Sequence, residues 1–342
     1  MPPRRRRVRS LLALVLYLSL VAGSLAALLS TAGDRSITVL CSSIEQLCRD
    51  WANGFSARTG IEVTMIRLST GEALTRLSTT EGRREFDVWH GGPADSYVLA
   101  AQRGLLAPYR SPEADAVPER YRDPDSHWTG VYLGVLGFCS DTRALQRLGA
   151  RLPSSWEDLL QPALSRQVSA PNPLRSGTGY TLVFTQRVRL GSDQAALDFL
   201  TRLDANVLQY TASGLAPAGI AARGEAAVGI GFTQHCTAAI DGGNSHLVIS
   251  YPADGTGYEV GSVAVLAGTD DAEAAHRYVD YAVSREGQLA GGGAWAAQLP
   301  TRADVPADPR LGADAVLLEY TPQQAAQARE QLLERFGEEL LR

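Results

Sequence analysis

The stretch Ile37-Thr-Val-Leu-Cys41 reads as a buried strand, a short run of apolar and β-branched residues bounded by Ser42-Ser43. A helical pattern follows from about Ile44 to Thr59, with Ser42 or Ser43 as its cap and Gly60 as its stop. Glu62 to Leu68 is a second strand, and Thr70-Gly-Glu72 opens a second helix to about Thr79. Strand and helix alternating at this spacing predict an α/β fold.

The alternation continues outward. Asp87-Val-Trp-His90 is a short buried strand closed by Gly91-Gly92, and a helix from Asp95 to Arg103 stops at Gly104. The segment from Pro108 to Ser126, rich in proline and charge, reads as a surface loop. Gly130 to Ser140 is a strand with glycines at 130, 134 and 137, a candidate crossover between two lobes. Further helices are expected at Trp156–Leu160, Ala195–Asp204 and Pro217–Arg223, and a strongly amphipathic one at Pro322–Leu341, opened by Thr321-Pro322. No low-complexity linker divides the chain. The expected organisation is therefore lobe 1 at 34–130 and 247–310, lobe 2 at 131–246, and a C-terminal helical segment at 311–342.

Composition bounds what such a chain does. Hydrophobic residues make up 45% and charged residues 20%, which excludes disorder. All 32 basic residues are arginine, and five of them lie in the first nine positions, before any acid. The chain beyond residue 33 carries 27 basic against 37 acidic groups, an unfavourable balance for binding nucleic acid. The arginine cluster precedes an apolar run from Leu11 to Leu29, with Ser30 and Ala32 placed for a cut before Gly33. Residues 1–33 are thus a cleaved signal peptide or a retained membrane anchor. Either places the rest of the chain outside the cytoplasm. The four cysteines then fit disulfides. Cys41 ends a strand and Cys48 lies seven residues on in the following helix, a sterically reasonable staple. Cys139 and Cys236 form the second expected pair, although three pairings are formally open.

Donor groups cluster at strand ends. Ser42 and Ser43, Ser69-Thr70-Gly71, and Ser176-Gly177-Thr178 each follow a strand and precede a helix, where hydroxyls and N–H groups converge on an anion. The alternative is that Ser42 and Ser69 are ordinary helix caps. Gly92, which closes a neighbouring strand, joins the candidate set. The tetrapeptide Gly-Thr-Gly-Tyr occurs twice, ending at Tyr180 and at Tyr258. A helix follows the first copy and a strand the second, so the first is expected to hold an anion. In the second, Tyr258 and Glu259 are expected to face the neutral part of the ligand, hydroxyls or an amine. Gly-x-Ser-x-Gly, His-Glu-x-x-His and metal-spaced Cys/His sets are absent, and the five histidines are scattered, so no catalytic residue, metal or cofactor is assigned.

The residues carry a resemblance. Thr38-Val-Leu-Cys-Ser-Ser43, Ser69-Thr-Gly-Glu72, Phe86-Asp-Val-Trp-His-Gly-Gly92 and Pro153-Ser-Ser-Trp-Glu-Asp-Leu-Leu160 are similar to segments of extracellular solute-binding proteins of ABC importers. So are Ser176-Gly-Thr-Gly-Tyr180, Ala222-Arg-Gly-Glu-Ala-Ala-Val-Gly229 and Gly255-Thr-Gly-Tyr-Glu259, and the likeness runs in order over nearly all of residues 36–342. The group is the ferric-iron-binding-like set that includes sugar-phosphate, phosphoglycerate and aminoethylphosphonate binders. It implies a type II periplasmic-binding fold, two α/β lobes closing over a ligand. It also implies a monomer that delivers a small anionic ligand to permease and ATPase subunits.

Ligand class follows from a departure. The ferric binders place two adjacent tyrosines after a Gly-Glu-x-x-x-Gly stretch. Here Gly224-Glu-Ala-Ala-Val-Gly229 is followed by Ile-Gly-Phe-Thr-Gln234-His235, without tyrosine. The organophosphate-like members carry His-Asp at this point, so Gln234 and His235 join the candidate ligand residues. The expected function is capture of an organic phosphate or phosphonate. Two alternatives remain, a ferric-iron binder and a ligand-sensing input for a membrane kinase.

Overall fold

The computed structural model describes residues 35–79, 85–290, 298–312 and 315–340. Residues 1–33, read above as signal or anchor, lie outside the described residues. Among those described, no helix is long and apolar enough to cross a membrane.

The short apolar runs form strands β1 (Ser36–Cys41), β2 (Glu62–Arg67), β3 (Val88–Pro93), β4 (Leu106–Ala107), β5 (Thr129–Asp141), β6 (Val168–Pro171), β7 (Val207–Thr211), β8 (Val228–Phe232), β9 (Leu247–Ser250), β10 (Tyr258–Leu266) and β11 (Leu299–Pro300). The helices before β5 are α1 (Glu45–Thr59), α2 (Thr70–Thr79) and α3 (Ala94–Gln102). Between β5 and β9 come α4 (Thr142–Leu148), α5 (Gly177–Leu190), α6 (Asp193–Asp204), α7 (Ala216–Ala222) and α8 (Thr233–Asp241). The chain ends with α9 (Ala272–Val283), α10 (Arg285–Leu289) and α11 (Pro322–Leu340).

The strands lie in the order β2-β1-β3-β10-β5-β8-β6-β7, with β4 beside β10 and both β9 and β11 beside β5. Pairing is parallel within β2-β1-β3 and β8-β6-β7, and antiparallel along β3-β10-β5-β8. The glycine-bearing strand expected to cross between lobes is β5. Its residues Thr129–Val135 pair with β10, whereas Leu136–Ser140 pair with β8. Two hydrophobic cores flank that change of partner. One gathers Val39, Phe55, Trp89, Tyr97 and Tyr278, and the other Phe138, Trp156, Phe184, Phe199 and Ile230.

α11 lies across both cores. Ala325, Leu332 and Phe336 pack into the second core, while Ala326 packs into the first. Arg329, one turn on, forms a buried ion pair with Asp95 of α3 at 2.6 Å and lies 4.4 Å above the Tyr180 ring of α5. Burial raises the Asp95 pKa, and the guanidinium pulls it back. Removing one partner of such a pair typically costs about 3–5 kcal/mol, because the other charge stays buried.

Two local expectations need amending. The segment expected as surface loop folds into two 3-10 turns, Pro112–Ala116 and Glu119–Tyr121, and buries Val117 and Tyr121 against the first core. The first Gly-Thr-Gly-Tyr copy does not precede its helix but forms its first turn. Ser176 caps α5 by accepting from the Gly179 N–H, so the helix begins at Gly177.

Cys41–Cys48 joins the end of β1 to α1, and Cys139–Cys236 joins β5 to α8, the expected pairing, with Cys236 inside a helix. The first closes a loop of 7 residues and the second one of 97. On chain entropy alone these are worth roughly 2 and roughly 5 kcal/mol. Replacing Cys139 and Cys236 by alanine should therefore lower unfolding stability more than replacing Cys41 and Cys48. Denaturant titration of the two double variants measures the order, and an equal or reversed loss would contradict it.

Candidate ligand-binding cleft

Four helix starts meet where the two cores face each other, around a cleft of about 470 Å³. From the first lobe come Ser42 and Ser43 before α1, and Ser69 and Thr70 at the head of α2. From the second come Ser176, Gly177 and Thr178 at the head of α5, and Gln234 and His235 at the head of α8. Helix starts carry unpaired N–H groups and the positive end of the helix dipole, so this placement favours an anion. The two sides are in contact. A side chain at Gly177 would meet Pro93 at 2.8 Å and the Thr70 hydroxyl at 3.1 Å.

The hydroxyls are not equivalent. Trp89 Nε1–H donates to Ser42 Oγ at 3.0 Å, which leaves the serine proton to point elsewhere. Ser176 Oγ likewise accepts, from Gly179 N–H at 3.4 Å. Thr178 is buried with its hydroxyl against Gly214, where a Cβ would lie 2.0 Å from Thr178 Oγ1. Only glycine fits there. Ser69 differs, because its N–H and hydroxyl both donate to Glu72, at 3.0 and 2.6 Å. Those bonds hold the Glu72 carboxyl below its ordinary pKa. Ser69 therefore lines the cleft as a helix cap with its proton already committed. Arg67 brings positive charge to the cleft wall, with its Nε–H donating to Ser43 O at 3.1 Å.

The other wall carries a single, buried carboxyl. Glu259 of β10 is 6% exposed, and burial first, then the charge of Asp95, raises its pKa well above the carboxylate value. Burial and the nearby Arg67 charge lower the His235 pKa to about 4, so its ring is neutral at pH 7. Tyr132 accepts from Gly92 N–H at 2.9 Å, and Gln298 donates to Ser43 Oγ at 3.4 Å.

Four of the expected ligand residues do not line this cleft. Gly71 lies behind it, where a Cβ would be 3.1 Å from Arg175 O. Gly92 supports it from below, with φ of +84° and no room for a side chain beside Thr70 and Ser42. Tyr180 points the opposite way from Thr178, since two residues are about 200° apart on a helix. Its hydroxyl donates to Ala325 O of α11. Tyr258 stacks on Tyr320 at 4.9 Å, its side chain on the opposite face of β10 from Glu259. Tyr180 and Tyr258 instead line an adjoining cavity of about 360 Å³ with Phe184 and Tyr320. The second Gly-Thr-Gly-Tyr copy is a structural turn. Thr256 is fully buried and donates to Leu136 O of β5 at 3.0 Å.

Tyr132, Ser213, Gly214 and Gln298 also line the cleft, and the sequence reading passed over them. Ser213-Gly214 carries the signal used elsewhere, a hydroxyl and a glycine just after a strand. Tyr132 and Gln298 carry no local signal. As for metals, among the described residues Asp123, Asp125 and His127 hold their ligand atoms within 4.8 Å of one another, but none of them lines the cleft. The His127 ring nitrogen Nδ1 already bonds Asp123 at 3.0 Å.

Residues 94–322 match the family described as bacterial extracellular solute-binding protein. An uncharacterized protein of Haemophilus influenzae is 36% identical over 275 residues, 79% of each chain. A putative 2-aminoethylphosphonate-binding periplasmic protein of Salmonella typhimurium is 25% identical over 277 residues, 78% of each chain. Among solved structures, the periplasmic binding protein AfuA from Actinobacillus pleuropneumoniae, with fructose-6-phosphate bound, superposes with a TM-score of 0.85 at 31% identity, covering 90% of this chain and 99% of that one. Two α/β lobes meeting at β5, a hydroxyl-lined cleft between them, and these matches agree: the chain belongs to the bacterial extracellular solute-binding protein family and has the type II periplasmic-binding fold.

Proposed function

We propose that this chain is the extracytoplasmic solute-binding component of an ABC importer, and that it captures a small organic phosphate or phosphonate between its lobes. The observation that carries the reading is the convergence of Ser42, Thr70, Ser176 and Thr178 at helix starts beside Arg67. Hydroxyls, helix N-termini and one guanidinium suit a tetrahedral oxyanion. The relatives whose names mention fructose-6-phosphate and 2-aminoethylphosphonate support the same class. In this reading lobe 1 comprises 34–130 and 247–310 and lobe 2 comprises 131–246, except that Tyr132–Val135 pair with β10 and join lobe 1, and β9 pairs with the far half of β5 and joins lobe 2; α11 straps the two from behind. Residues 1–33 export or anchor the protein, which acts as a monomer and hands its ligand to permease and ATPase subunits. Binding, not catalysis, is its work.

Ferric iron fits less well. The start of α8 offers Gln234 and His235 where an iron site of this group would offer two tyrosines, and Tyr132, the tyrosine in the cleft, has its pKa raised by burial. A hard trivalent cation needs several anionic oxygen ligands, and this cleft is lined by a single carboxyl, Glu259.

A thermal-shift panel of sugar phosphates, phosphoglycerates, phosphonates and ferric salts tests the reading. Stabilisation by at least one phosphorus oxyanion is expected, and stabilisation by iron alone would sink it. Thr178→Val should weaken every phosphate-bearing ligand by roughly ten- to a hundredfold, the usual cost of a lost hydrogen bond to a charged group. Unchanged affinity by calorimetry would remove the α5 start from the site. Thr256→Val should do the reverse. It should leave affinity unchanged and lower unfolding stability by about 1–3 kcal/mol, because the Leu136 carbonyl loses a buried donor. A selective loss of affinity would show that the second copy binds ligand after all.

A further inference from the structure

Trp89 fixes the direction of a proton in the cleft. Its ring is fully buried and stacked on Tyr97 at 4.1 Å, and the Tyr97 hydroxyl lies 2.9 Å from Gly91 O and 2.8 Å from Ser262 O. From that clamped position the indole Nε1–H donates to Ser42 Oγ at 3.0 Å, while the Ser42 N–H donates to His90 O at 2.9 Å. An indole nitrogen only donates, at any pH. Ser42 Oγ is therefore held as its acceptor, and the serine proton turns toward the cleft that Ser42 lines.

The same polarity repeats around the cradle. Ser176 Oγ accepts from the Gly179 N–H, a second donor-only group, at 3.4 Å. The hydroxyls of Thr70 and Thr178 face glycines, where a Cβ on Gly92 or Gly214 would lie 2.5 and 2.0 Å from their oxygens. Arg67 and the free N–H groups of the helix starts also only donate. Ser69 is the contrast, since Glu72 already takes its proton. Glu259, the carboxyl among the cleft-lining residues, lies beside Gln234, both within 2.9 Å of a Cβ built on Gly134.

We propose that the cradle reads hydrogen-bond polarity: Trp89 positions Ser42 as an obligate donor, and the site takes an oxyanion that only accepts. A phosphate dianion meets that demand, whereas the monoanion carries a P–O–H proton that would point at other donors. A sulfate ester or sulfonate of the same shape only accepts too, and is admitted. The proposal rests on the phosphate reading above and deepens it.

The charged and titratable groups around the cradle are Arg67 of β2, Glu72 of α2, Arg175 ahead of α5, Tyr132 of β5, His235 of α8 and Glu259 of β10. Ser69 holds Glu72 below its ordinary pKa, and burial with the Arg67 charge lowers His235 to about 4. Burial raises Tyr132 out of range. None of these three changes charge between pH 5 and pH 7. Burial also raises Glu259, and a sulfur ligand, which does not titrate there, reports any change at that carboxyl.

Calorimetry on the intact exported protein from pH 5 to pH 7 tests this with matched pairs: a hexose 6-phosphate beside the hexose 6-sulfate, and 2-aminoethylphosphonate beside 2-aminoethylsulfonate. The second phosphate pKa is about 6, so affinity for the phosphate ester should fall about tenfold from pH 7 to pH 5, because the ligand must shed its proton to bind. Affinity for its sulfur partner should stay within about threefold. Trp89→Phe keeps a ring on Tyr97 and frees Ser42 to accept, so the fall should shrink to about threefold or less. A purely structural role for Trp89 would lower affinity equally at both pH values and leave the fall unchanged, which would remove the residue from the proposal. Phosphate affinity that is flat with pH, a parallel fall for both members of a pair, or a sulfur member that does not bind would overturn the polarity assignment and leave the phosphate reading standing. Failure of both phosphorus compounds would remove both. The comparison of ligands on the parent protein holds even if the variant folds poorly.

Discussion

Everything in this molecule hangs on one strand being shared. The first seven residues of β5 complete one sheet and the remainder completes another, with the change of partner between Val135 and Leu136. Its two halves take different partners, so a separate core forms beside each. The space between them is the cleft. β10 enters the same junction from the far end of the chain, and Thr256 and Gly257 stitch it to Leu136 through a side-chain and a backbone hydrogen bond. Glu259 thus reaches the cleft floor because the junction needs β10 there.

The junction is closed from behind by a charged pair as well as by the apolar packing of α11. Arg329 meets Asp95 of one lobe and the Tyr180 ring of the other, so a single side chain on α11 touches both. Asp95 and Tyr180 lie within two residues of cleft-lining positions, Pro93 and Thr178. Hinge closure in such folds repacks a few contacts near the crossing strands, and these residues stand where that repacking would be felt.

Much of the fold was legible because strand and helix periods differ. The runs at Ile37, Glu62 and Gly130 and the amphipathic pattern after Pro322 all fall within the observed elements. The cysteine pairing was legible too: Cys41 ends β1 and Cys48 lies in the next helix, and the remaining two, Cys139 in β5 and Cys236 in α8, pair with each other. The lining of the cleft was legible where donors follow a strand, as at Ser42, Thr70 and Thr178. It failed where helix phase decides direction. Starting α5 at Thr181 instead of Gly177 leaves the whole Gly-Thr-Gly-Tyr segment free to face a ligand, whereas the true start turns Tyr180 toward α11. Tyr132 and Gln298 were invisible because only tertiary pairing brings them to the cleft.

The central claim is that the cleft holds an organic phosphorus oxyanion, and the protein itself can report on it. Native mass spectrometry of the protein as purified, without refolding, combined with elemental analysis of the released ligand, is the most direct measurement. The account predicts a small-molecule adduct containing about one phosphorus per chain, displaced by excess of a sugar phosphate. An adduct of iron at one per chain, with no phosphorus, would contradict it.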